Sequence, residues 1–102
     1  MIHVVAAITT KPGQRAAVLR LFKENVPAVL AEAGCIEYGA VVDVPDGPDF
    51  QARLGSDSFF VIEKWDSMTA LSAHIASPHM AAYAKKTREL LASRAVHILT
   101  GV

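Results

Sequence analysis

The stretch Phe59-Phe60-Val61-Ile62-Glu63-Lys64-Trp65, with Asp66-Ser67 after it and Ser77-Pro78-His79 ten residues further on, decides how this chain reads. Two-residue alternation places Phe59, Val61, Glu63 and Trp65 on one face of a strand and Phe60 and Ile62 on the other. Asp66 or Ser67 supplies the side-chain oxygen that starts a helix running through Ala76 and carrying His74. Ser77-Pro78 ends that helix and opens the next, with Ser77 as N-cap and Pro78 at the first helical position. Tyr83, Thr87, Leu90 and Leu91 carry the second helix to about residue 92. One strand-to-helix corner thus gathers an acid, an indole and two imidazoles.

Residues 2–9 are β-branched and small apolar types, and Lys11-Pro12-Gly13 breaks that strand. Val18, Leu21, Phe22, Val26, Val29, Leu30 and Ala33 recur at helical spacing over 14–33, with Gly34 as C-terminal cap and a kink or a short break expected at Pro27. A second strand spans Cys35–Val44, with Ile36, Tyr38, Ala40, Val42 and Val44 on one alternation. Two Pro, two Gly and three Asp fill Pro45–Ser58, which predicts a long exposed connection able to serve as a flap. A fourth strand covers Ala95–Thr100. The order predicts one α+β domain over 1–102: a ferredoxin-like βαββαβ sandwich, four antiparallel strands with helices on one face. Both faces of strands one and three are apolar, which predicts a homodimer packed through the second sheet face.

The chain has 102 residues, 52% of them hydrophobic and 20% charged. Ten basic and ten acidic residues leave no basic footprint for nucleic acid. Cys35 is the sole cysteine, so no intrachain disulfide forms, which fits a reducing, cytoplasmic setting. No apolar run approaches the ~18 residues of a membrane span, and no targeting segment is evident.

Glu63 projects among apolar neighbours, which makes it a candidate base or substrate anchor, or else a structural ion-pair partner. Trp65 offers a flat wall for an aromatic guest, although an indole is more often core. His74 lies beside the apolar face of its helix. His79 sits in the first turn after Pro78, where the helix dipole favours a neutral ring able to accept a proton. Tyr83 follows one turn later on the same side. A metal site from Glu63, His74 and His79 lacks any recognised ligand spacing, and no nucleotide- or flavin-binding motif is present. The residues therefore predict chemistry without a cofactor or metal.

The segments Gly34-Cys35-Ile36-Glu37-Tyr38, Phe60-Val61-Ile62-Glu63-Lys64-Trp65 and Leu71-Ser72-Ala73-His74-Ile75-Ala76-Ser77-Pro78-His79-Met80 resemble the antibiotic biosynthesis monooxygenase family of dimeric ferredoxin-like α+β barrels. The resemblance spans nearly the whole chain. It implies a pocket between helices and sheet lined by Tyr38, Glu63, Trp65, His74 and His79. Family members include cofactor-independent oxygenases of quinols and anthrones, haem-degrading enzymes and a phosphosugar isomerase. The positions matching the Asn, Trp and His set of the haem branch hold Ala6 or Ala7, His74 and Ala84, which argues against haem.

The expected function is cofactor-independent oxygenation of an electron-rich aromatic by molecular oxygen. His74, His79 and Glu63 would be catalytic, and Trp65, Tyr38, Tyr83 and Phe60 would bind substrate. The alternatives are an acid/base isomerase of a small enolisable metabolite and a non-catalytic dimeric binding module.

Overall fold

A computed structural model describes residues 1–102. The elements run β1 (Ile2–Thr10), α1 (Arg15–Leu30), β2 (Cys35–Val41), β3 (Ser58–Trp65), α2 (Met68–Ile75), α3 (Pro78–Thr87), a 3₁₀ turn (Arg88–Leu90) and β4 (Leu91–Thr100). All strand pairs are antiparallel in the order β2-β3-β1-β4. This is the ferredoxin-like α+β architecture, with α2 and α3 together filling the place of the second helix.

The period-two pattern of β3 converts directly into burial. Phe59, Val61, Glu63 and Trp65 are all buried, and Ser58, Phe60, Ile62 and Lys64 between them are only half-buried. Val4, Ala6 and Ile8 of β1 lie beside them, and Val18, Phe22 and Val29 of α1 close over this face. The helices cover the sheet unevenly. On β4 the helix-facing side chains Val96 and Ile98 remain 43% and 48% exposed, so a hollow stays open between this strand and α3.

Several boundaries differ from the sequence reading. Pro27 sits inside a continuous α1, whose last turn continues with the Ala31 N–H donating to the Pro27 carbonyl at 3.2 Å. The proline removes one N–H from the ladder without ending the helix. A register shift between Cys35 and Glu37 puts an extra residue into β2; Ile36 consequently turns outward and is 51% exposed rather than joining Tyr38 on the core side. β4 begins at Leu91, four residues before the expected Ala95, because the 3₁₀ turn ends the helical run that the Leu90-Leu91 spacing extended to residue 92. No residue of the 45–57 connection lines the hollow. The Asp43 carboxylate accepts the Leu54 and Gly55 N–H groups at 2.9 and 3.0 Å, which closes this loop on itself. Those two bonds hold the Asp43 carboxyl below its ordinary range. No helix is long and apolar enough to cross a membrane.

Gly34 joins the tail of α1 to the start of β2 with φ +83°, a region that favours glycine. A Cβ there would stand 2.5 Å from Asp66 Oδ1 and 2.6 Å from Ala70 Cβ. The Asp66 N–H donates to the Gly34 carbonyl at 2.9 Å, so the end of α1 and the start of α2 meet at this residue.

Candidate active site

Ser67 is the N-cap of α2, its Oγ accepting from the Ala70 N–H at 3.1 Å. That start fixes the helix phase: Leu71 and His74, three residues apart, both face the sheet and are buried. The imidazole of His74 meets Trp65 at 4.6 Å between ring centroids and the edge of Tyr38 at 5.5 Å. Tyr38 in turn stacks on Phe22 at 5.0 Å. The sequence segments quoted above thus converge on one aromatic nest.

Two carboxylates bracket His74. Nδ1 lies 2.7 Å from Oε2 of Glu32, and Nε2 lies 3.9 Å from Oε1 of Glu63. A carboxylate only accepts, so Nδ1 carries the proton shared with Glu32 and the lone pair of neutral His74 sits on Nε2. Glu32 Oε2 also stands 2.9 Å from His79 Nε2. The Ser77 hydroxyl donates to the His74 carbonyl at 2.7 Å and sits 3.2 Å from the same His79 nitrogen. Both oxygens facing His79 Nε2 are acceptors, so that nitrogen bears hydrogen as well. At His79 the Glu32 carboxylate thus acts alongside the N-terminal dipole of α3, with the opposite sign.

Glu63 Oε1 accepts the Trp65 indole N–H at 2.9 Å. Burial raises the Glu63 pKa and the nearby Glu32 adds to the rise; the Trp65 hydrogen bond and His74 oppose it without cancelling it. The His74 contact at 3.9 Å is too long to count as a hydrogen bond. Burial also raises the Tyr38 hydroxyl, helped by Glu63, and pushes Tyr83 up to about 12. Both phenols therefore keep their hydroxyl hydrogen at neutral pH, and the Tyr38 hydroxyl stands 4.0 Å from the Met80 sulfur.

The hollow beside β4 has a volume of about 620 Å³, within the usual range for small-molecule sites. Tyr38, Glu63 and His74 line one part of it, Met80, Tyr83 and Thr87 of α3 another, and Val96 and Ile98 of β4 the open side. Its walls are mainly apolar. Glu32 Oε2, His74 Nδ1 and His79 Nε2 lie within 4.8 Å of one another, so the set able to hold a divalent cation contains Glu32 rather than Glu63. In the structure these donors are engaged with each other directly.

Residues 1–86 match the antibiotic biosynthesis monooxygenase family. The chain belongs to that family. It is 44% identical over 90 residues to Probable quinol monooxygenase YgiN of Escherichia coli K12, an alignment covering 86% of each protein. PA3566 from Pseudomonas aeruginosa superposes with a TM-score of 0.81 at 28% identity, covering 99% of this chain and 93% of that one. Rv0793 from Mycobacterium tuberculosis gives 0.80 at 27% identity, with coverages of 99% and 94%.

Within this monooxygenase scaffold, Tyr38, Glu63, His74 and Tyr83 share the cavity. His79 does not line it and reaches the site through Glu32. Trp65 is fully buried behind Glu63; its face meets His74 instead of open space, so its place is that of a donor and support rather than a wall for a guest. Phe60 lies on the opposite sheet face, in register with Ala7 and Val41, and takes no part in the cavity. Glu32 escaped the sequence reading. Its signal is faint, one acid in the tail Ala31-Glu32-Ala33-Gly34, with partners 42 and 47 residues away.

Proposed function

We propose that this monooxygenase-family protein oxygenates an electron-rich hydroxyaromatic, a quinol or an anthrone, without a bound cofactor, with His74 as general base. The observation that carries the reading is the fixed imidazole: Glu32 occupies Nδ1, which turns Nε2 toward Glu63 and the cavity. A neutral ring so held removes a hydroxyl proton. The resulting anion passes one electron to O₂, and radical recombination forms a C–OOH bond on the ring carbon. Loss of water leaves a new carbonyl, so one oxygen atom stays in the product and the other departs as water. The substrate supplies all the electrons. Tyr38 and Tyr83 are protonated donors for the developing oxyanion, and the apolar walls limit water around it.

The test is oxygen uptake by the purified protein with a panel of naphthoquinols and anthrones, with ¹⁸O₂ used to label the product. Uptake of one O₂ per substrate above autoxidation, with one labelled atom retained, is expected. Conversion of substrate without oxygen would instead assign the Glu63–His74 pair to proton-shuffling isomerisation, and no conversion at all would leave a binding module.

The working unit in this proposal is a homodimer. The sheet face away from the helices carries Val5, Ala7, Val41, Phe60 and Ile62 as neighbours across three strands, and no element of the chain covers it. An apolar face of that kind needs a partner surface, and a second copy presents the same one. Sedimentation equilibrium at micromolar concentration is expected to give twice the chain mass of 10.9 kDa; a monomer would remove the proposal.

A further inference from the structure

The cavity has a second polar end that the chemistry above does not use. Arg88 in the 3₁₀ turn and Arg94 in β4 both line it. Arg94 pairs with Ile8 in the β1–β4 register and sits between Ala92 and Val96 on the helix-facing side of the strand; both arginines are exposed, at the open mouth of the cavity, where a charged group of a bound molecule can reach them. Neither guanidinium is spoken for. The ion pairs of the chain are Lys64–Glu37 and the His–Glu contacts, whereas Arg15 donates to the Gly55 and Ser58 carbonyls. A charge on an edge strand can keep it from pairing with other chains, but that role does not account for Arg88 on the same cavity.

We infer that the substrate carries an anionic substituent, a carboxylate, sulfonate or phosphate, held by Arg88 and Arg94 at the end of the ring system remote from the reacting hydroxyl. This rests on the oxygenase reading and deepens it. Sheet register sets the spacing. Glu63 pairs with Val4 and Arg94 with Ile8, which is four residues along β1 and two strand spacings across, a backbone diagonal of about 16 Å. Side chains reaching inward from both corners leave room for about two fused rings with the acid and the hydroxyl at opposite ends. Guanidinium binds such oxyanions through paired, charge-assisted N–H···O bonds.

Calorimetry at low salt with 6-hydroxynaphthalene-2-sulfonate, neutral 2-naphthol and a 6-hydroxy-2-naphthyltrimethylammonium ion tests this without turnover. The sulfonate is expected to bind at least about tenfold more tightly than 2-naphthol. Arg88→Gln with Arg94→Gln abolishes that preference and leaves 2-naphthol unchanged, Lys at both positions restores part of it, and Arg94→Glu shifts the preference to the cation. Equal binding of sulfonate and naphthol by the native protein, or a preference that survives the double Gln variant, overturns the inference while the oxygenase reading stands. Binding of none of the three removes both.

Discussion

His74→Gln is expected to lower kcat for quinol oxygenation by about 10²–10⁴-fold while changing KM by less than about threefold, the range general-base removal gives elsewhere. Glutamine keeps an N–H within reach of Glu32 and roughly fills the space of the ring, so the surrounding nest of Trp65, Tyr38 and Leu71 can persist. What it lacks is a nitrogen able to take up a proton at Nε2. A fall in kcat alone therefore isolates proton transfer from packing. Circular dichroism and an unchanged affinity for a non-reactive naphthol confirm that the pocket survives. A kcat within about threefold of the native value would end the assignment of His74 as base and move attention to Glu63.

Trp65→Phe is expected to destabilise the fold more at pH 8 than at pH 5. The phenyl ring refills most of the buried space, so the chief loss is the indole N–H that Glu63 accepts at 2.9 Å. Leaving a buried acceptor unpaired costs about 1–3 kcal/mol, and more for a charged one. The sign with pH follows from Glu63, whose pKa in the folded protein already lies above its ordinary value through burial. A carboxyl raised in the folded state contributes its stability below the unfolded pKa and loses it as pH rises through the folded one. Removing the hydrogen bond that favours the charged form raises the folded pKa further and widens that window. Urea unfolding of both proteins at the two pH values measures the effect. A penalty independent of pH would show that the indole acts by packing alone.

Both variants probe residues that local sequence rules could place. The alternation of β3 puts Glu63 and Trp65 on the buried side, Ser67 caps α2, and the resulting helix phase turns His74 inward. Tyr38 lies on the buried side of β2, in register with Glu63. What these rules could not supply was long-range pairing. Glu32 acquires its role only when the tail of α1 is laid against α2 and α3, and nothing within four residues of it hints at two imidazole partners. The outward turn of Ile36 depends on a bulge set by pairing with β3, so plain alternation misplaced it. Trp65 shows a further limit: an indole beside an acid is equally compatible with a wall and a donor until the neighbour of its N–H is known. The start of β4 was hidden because Leu90 and Leu91 suit a helix and a strand alike.

The residue with no side chain has the widest reach over this chemistry. Gly34 keeps the tail of α1, and with it Glu32, at a fixed separation from the helix that bears His74, because Asp66 and Ala70 occupy the space a methyl group would need. A bulkier residue there would force the two helix ends apart by tenths of an ångström or more. The 2.7 Å contact that fixes the imidazole would then loosen, and the base proposed above would be misaligned with every polar group of the site still in place.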